Sequence, residues 1–150
     1  MVIKRIEKED IEYIKECDTL FLKFLDSEGK FDYNYLKRDH LNNFSNDLND
    51  KKKILFASIE DDKVIGFLFG YIEKRKSYKE YVANISFLYV DDEYRNKRIA
   101  TSLIDTFLKE LEKRQIRILE VKTYEENKIA QKLYSKYGFD KLWTNYRKKI

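Results

Sequence analysis

The chain has 150 residues, enough to bury a sizeable core, and the expectation is a single domain over residues 1–150. Hydrophobic residues make up 43% and charged residues 39%, so the sequence is too apolar for intrinsic disorder and must carry a densely ionic surface. The net charge of +4 arises from 31 basic and 27 acidic residues spread along the chain, which argues against a nucleic-acid-binding module but suits an anionic ligand.

The first element is a strand over Val2 to Ile6, where apolar and basic residues alternate. The N-terminal residues contain no apolar stretch of signal-peptide length, and no run approaches membrane-spanning length, so a cytoplasmic protein without a membrane partner is expected. From Asp10 onward, Ile11, Ile14, Cys17, Phe21 and Leu25 recur at helical spacing, and Gly29 provides a stop. Cys17 is the only cysteine, so no intrachain disulfide forms, and its place on the apolar stripe predicts core packing. Asp32 is positioned to cap a second helix with the stripe Leu36, Leu41, Phe44 and Leu48, and Lys51-Lys52-Lys53 reads as a solvated connection.

The period then changes. Ile54 to Ile59 and Val64 to Ile72 are β-branched and aromatic runs separated by Glu60 to Lys63, which predicts a hairpin. A charged loop over Glu73 to Glu80 leads into a long strand, Tyr81 to Val90. There Ile85, Leu88 and Val90 break strict alternation, and a β-bulge would put all three on one face. Ile99, Leu103, Phe107 and Leu111 step by four along a helix, Ile116 to Val121 is a further strand, and Asn127 to Tyr137 is a helix with Ile129, Ala130, Leu133 and Tyr134 facing inward. Gly138 stops that helix as a left-handed cap, and Phe139 to Lys149 supplies one or two closing strands. The order is β-α-α-β-β-β-α-β-α-β-β, an α/β (α+β) layer fold.

Two segments carry chemistry. Tyr94-Arg-Asn-Lys-Arg-Ile-Ala-Thr-Ser102 joins a strand to a helix, where free backbone N–H groups and the positive helix end can hold phosphate. Its basic residues oppose the helix dipole, which also points to an anion nearby. Downstream lies Asn127-Lys-Ile-Ala-Gln-Lys-Leu-Tyr134-Ser-Lys-Tyr-Gly138-Phe139. In this order and spacing the two segments resemble the GNAT superfamily of N-acetyltransferases. The family signature begins with Arg or Gln, followed by two free positions, Gly, a free position, and Gly or Ala. Arg95 and Ala100 match and Ile99 is the usual aliphatic residue, but Arg98 replaces the central glycine and Asn96 a further common one. A helical φ at Arg98 would leave it unstrained; a positive φ would not.

The resemblance implies a mainly antiparallel mixed sheet flanked by helices on both faces. It also implies an acetyl-CoA-dependent transferase that passes acetyl directly to a primary amine in a ternary complex, without a metal. Arg95, Asn96, Lys97, Arg98, Ile99, Ala100 and Thr101 then form the CoA phosphate loop. Asn127 contacts the pantetheine arm or the backbone beside it. Leu88 and Val90 border the gap between strands that admits the pantetheine, and a backbone N–H there polarises the thioester carbonyl. Tyr134, seven residues past Asn127, protonates the leaving thiolate; a phenol suits this because it is neutral at pH 7 and can donate. The competing reading of Tyr134 is a core tyrosine.

No base is assigned from the sequence. The positions near 84 to 87 hold Asn84, Ser86 and Phe87, and the alternatives are Asp91 or Asp92, which also suit capping the turn, Glu28, Asp32, Glu125, or a water relay. His40 reads as solvated or satisfied by a partner, and no cluster has metal-ligand spacing. Residues 20 to 50 are expected to wall the acceptor, a small-molecule or peptide amine, and the protein to be a monomer or homodimer. The alternative is a non-catalytic acyl-CoA-binding or sensory domain of the same fold.

Overall fold

The structure, a computed structural model, describes residues 1–28 and 43–150. Five strands form one sheet in the spatial order β1 (Val2–Ile6), β2 (Lys53–Glu60), β3 (Lys63–Arg75), β4 (Glu80–Val90) and β5 (Ile118–Val121). The first four pair antiparallel, and β5 joins β4 in parallel. The predicted hairpin forms between β2 and β3. Its two-residue turn, Asp61-Asp62, has φ of 50° and 58°, the left-handed pair that matches strand twist and that short polar side chains tolerate.

The predicted bulge is present as well. Phe69 pairs with Phe87 and Gly70 with Ile85, so Ser86 is the extra residue. Its consequence is a change of phase. Ala83, Ile85, Leu88 and Val90 all face one core, while Phe87 and Tyr89 face the other.

Helices cover both faces. Against the first lie α1 (Ile11–Glu28) and the short α2 (Asn43–Asp47), whose Ile14, Cys17, Leu20, Phe21, Leu25 and Phe44 pack onto Leu55, Ala57, Phe67 and Phe69. Phe44 meets Phe21 and Phe67 edge-on at ring separations of 5.7 Å and 5.6 Å. Cys17 is fully buried, and burial pushes its thiol well above the usual range, as expected of a packing residue. Against the second face lie α3 (Ile99–Lys113) and α4 (Lys128–Lys136), with Ile99, Leu103, Ile104, Phe107, Leu111 and Tyr134 buried. Gly70 permits this approach. A Cβ there would stand 2.6 Å from Phe107 Cζ and 2.7 Å from the Asn84 carbonyl oxygen.

Both α3 and α4 end in the same six-residue cap. Ile116 N–H donates to the Leu111 carbonyl and Gln115 N–H to Glu112, with Gln115 at φ 58°. Phe139 N–H donates to Tyr134 and Gly138 N–H to Ser135, with Gly138 at φ 79°. The Gly138 stop is therefore as predicted. The cap on α3 consumes Ile116, which is why β5 begins at Ile118 and not at Ile116.

Other expectations need correction. Ile11 is 59% and Ile129 84% exposed, because each sits in the first turn of its helix, beyond the reach of the core. Glu73 to Arg75 extend β3 and are not loop. The closing strands over Phe139 to Lys149 are not formed: no residue there joins the sheet, and Trp143 is 78% and Tyr146 95% exposed. Leu142 and Trp143 are adjacent rather than alternating, and Arg147-Lys148-Lys149 follows, so the segment lacks a single apolar face to bury. Gly29, Asp32, Leu36, His40 and Leu41 lie outside the described residues.

Candidate functional site

The sheet opens at one place. β4 pairs with β5 only from Val82–Ile118 to Ile85–Val121. The bulge at Ser86 follows at once, and Ser86 to Val90 run on with no strand on that side among the described residues. Outward backbone groups of Ser86 to Tyr89 can pair with an extended ligand, as an added strand would. Leu88 and Val90, half-buried, face the α3–α4 side of the opening beside Val121.

Beyond Val90 the chain turns into the phosphate-loop candidate. Asp91 is buried and braces the turn: its N–H donates to the Ile65 carbonyl, its own carbonyl accepts from Tyr94 N–H at 2.8 Å, and its carboxylate accepts from Lys23 Nζ of α1 at 3.0 Å. The first intrahelical bond recorded at the start of α3 is Ser102 N–H to the Arg98 carbonyl, so the N–H groups of Ile99, Ala100 and Thr101 precede the ladder and stand at the positive helix end. Arg95 is exposed and folds back along the end of β4. It pairs with Asp92 at 2.6 Å, its Nε donates to the Val90 carbonyl at 3.4 Å, and its guanidinium lies over the Tyr89 ring. Lys97, over the Tyr94 ring, and Arg98 are exposed and are the cations available to an anion. Asn96 and Arg98 have φ of 64° and 60°. The two residues standing in the family's glycine positions therefore adopt the glycine-type conformation, and the strained alternative for Arg98 is the one realised.

On the α4 side, Asn127 caps the helix, its Oδ1 accepting from Ala130 N–H at 3.1 Å, which leaves its amide NH₂ to donate elsewhere. Tyr134 is 9% exposed, edge-on to Phe139 at 5.4 Å, and shares its core with Leu88, Val90 and Val121. Its hydroxyl has no hydrogen-bond partner among the described residues, and burial pushes its pKa up to about 12, so it remains protonated. Tyr137, one turn on, reaches α3. Its hydroxyl lies 2.7 Å from Asp105 Oδ1 and 3.1 Å from the Thr101 carbonyl. Burial first, and then the bond to Asp105, push its pKa up to about 12.

The opposite face of the sheet holds a polar network that the sequence did not reveal. Arg75 Nε lies 2.7 Å from Glu73 Oε1, its NH2 group donates to Asn84 Oδ1 at 3.2 Å, and its NH1 group contacts Glu120 Oε2. The last is an ion pair to a buried carboxylate oxygen. Three strands are thus tied together at the closed end of the opening. Glu120 could have been found as the one charge inside the apolar strand Ile118-Leu-Glu-Val121. Asp92 and Glu125 are exposed and far less enclosed.

The profile of the acetyltransferase (GNAT) family matches residues 14–139. The chain belongs to the GNAT acetyltransferase family. An N-acetyltransferase of Methanocaldococcus jannaschii is 29% identical over 99% of this chain, which spans 66% of that relative's length. Among solved structures, the fold is similar to that of the acetyltransferase AAC(6')-Iy in complex with the bisubstrate analogue CoA-S-monomethyl-acetylneamine, with a TM-score of 0.78 and 21% identity over 99% of this chain and 98% of that one. It is similar also to a ribosomal-protein-alanine N-acetyltransferase from Brucella melitensis, with a TM-score of 0.71 and 20% identity over the whole of both chains. The mixed sheet with helices on both faces is thus the GNAT fold. No helix among the described residues is long and apolar enough to cross a membrane.

Proposed function

We propose that the protein transfers acetyl from acetyl-CoA to a primary amine by direct attack, with the whole chain acting as one catalytic domain. The observation that carries this reading is the opening between β4 and β5, which has a protonated phenol on one face and a carboxylate on the other.

The residues present fit the donor. The free N–H groups of Ile99, Ala100 and Thr101, with Lys97 and Arg98, would hold its phosphates. The Asn127 amide, Leu88, Val90 and the unpaired backbone of β4 would hold its pantetheine arm. Bound there, the thioester supplies an activated acyl group. A β4 backbone N–H would stabilise the charge that develops on the carbonyl oxygen. Glu120, on the α1 face where the amine would enter, takes the proton released as nitrogen bonds to the acyl carbon. Tyr134, on the α4 face, gives its proton to the sulfur as the carbon–sulfur bond breaks. The proton gained by Glu120 and the one lost by Tyr134 balance, and water returns both groups to their starting states. The acceptor is a small-molecule amine or a peptide amine, and acceptors of both kinds are named among the structural relatives.

Acetyl-CoA should raise the melting temperature in a concentration-dependent way, with adenosine much less effective, and an amine panel should then yield turnover. An unchanged melting curve at saturating acetyl-CoA refutes the donor assignment. Tight CoA binding with no turnover across amines and peptides would favour an acyl-CoA-binding role instead.

A further inference from the structure

Helix α4 sets the position of Tyr134 and is held by Ala130 and Leu133 against the core and by Gln131, whose amide donates to the Tyr124 and Glu125 carbonyls. It has nine residues, of which only Tyr134 is buried. Isolated helices shorter than about 12 residues are marginal in water, so α4 depends on what it docks against. Apart from apolar contacts near Tyr134, its tie to α3 is the Tyr137 hydroxyl, shared between the Thr101 carbonyl and the Asp105 carboxylate. Thr101 carries one of the free N–H groups of the phosphate loop. One phenol therefore touches the anion-binding end of α3 and sits one turn from the proton donor.

We propose that Tyr137 is a positioning residue that couples occupancy of the phosphate loop to placement of the Tyr134 phenol. An anion held by the N–H groups of Ile99 to Thr101 fixes the first turn of α3, which presents the Thr101 carbonyl and Asp105 in one arrangement. Tyr137 then docks α4 against them, and Tyr134 is held at the opening. In the empty protein the same turn is looser and so is α4. This inference rests on the acetyl-CoA reading of the site and assigns a role to a residue that touches no reacting atom.

The test uses the full chain and CoA as the probe. Amide hydrogen exchange of Ile129 to Lys136 is measured with and without saturating CoA, in wild type and in Tyr137→Phe. In wild type, CoA should slow exchange across α4 by about tenfold or more, because a docked short helix opens rarely. In Tyr137→Phe that added protection should fall below about threefold, while CoA affinity stays within about threefold. With the best acceptor from the amine panel, kcat should fall about tenfold with the KM for acetyl-CoA little changed, as for an effect on the chemical step alone. Asp105→Asn, which keeps an acceptor for the hydroxyl, should stay close to wild type, and Asp105→Leu should follow Tyr137→Phe. Undiminished CoA-induced protection in Tyr137→Phe and Asp105→Leu overturns the proposal, as does a loss of melting temperature with kcat intact. Failure of wild type to bind CoA would sink the donor assignment itself, a separate outcome.

Discussion

Replacing Arg98 with glycine should make the protein more stable, although it removes a side chain from the candidate binding loop. Arg98 has φ 60° and ψ 20°, and a non-glycine residue in that region carries about 1–2 kcal/mol of strain. Glycine removes the strain but loosens the unfolded chain by about 0.4–1 kcal/mol, so the net gain is about 0.5–1 kcal/mol. For a chain of this size that corresponds to a rise of about 1–4 °C in melting temperature. Loss of a positive charge at a helix N-terminus also stabilises, by about 0.3–1 kcal/mol at low salt, and must be separated from the backbone effect. Arg98→Gln provides the control, since it deletes the charge and keeps the left-handed strain. Urea denaturation of the three proteins at moderate salt should give midpoints in the order glycine, glutamine, wild type, with unchanged slopes. A glycine variant no more stable than the glutamine variant refutes the strain argument. Acetyl-CoA binding should weaken by a few-fold in both variants alike, because the backbone N–H groups remain.

Tyr134→Phe removes one hydroxyl with no described partner, so turnover should drop about ten- to a thousand-fold with melting temperature nearly unchanged; equal losses of stability and turnover would return Tyr134 to the core. Glu120→Gln should lower kcat by about a hundredfold or more and leave the KM for acetyl-CoA within a few-fold; steady-state kinetics showing only a stability defect would leave Glu120 as a strut for Arg75. Gly70→Ala should destabilise the fold by about 1–3 kcal/mol in chemical denaturation, since the new methyl meets both Phe107 and the Asn84 carbonyl. Alkaline stability should also fall. Tyr134 titrates near 12 when folded and near 10 when unfolded, so its contribution is complete below pH 10 and is lost as pH rises from 10 to 12. The decline should be visible in midpoints measured across that range and shallower in Tyr134→Phe.

What could be read in the chain was local and periodic. The α3 stripe, the β2–β3 hairpin, the Gly138 cap and the β4 bulge each follow from a spacing or a residue type with one backbone meaning. The signature segment likewise located a strand–helix junction with free N–H groups. Long-range pairings escaped. Nothing in the spacing of Glu73, Arg75, Asn84 and Glu120 announces that three strands bring them together, and Tyr137 meets Asp105 across 32 residues. Conformation at Arg98 was not legible either, because φ there is imposed by the turn and not by arginine's own preference. The closing strands expected over Phe139 to Lys149 do not form, because residues without an alternating face gain nothing from pairing.

The extra residue in β4 marks the place where that strand can shorten without exchanging its faces. Phe87 and Tyr89 serve one core and Leu88 and Val90 the other only because Ser86 is unpaired. Deleting Ser86 would join Ile85 to Phe87 in one continuous register, removing the bulge while leaving all four side chains on their present faces. A homologue lacking that position can therefore keep the same aromatic and aliphatic order over the next four residues, with a regular strand in place of the bulge. An alignment that sets a gap anywhere else along this strand would equate residues from opposite sides of the sheet.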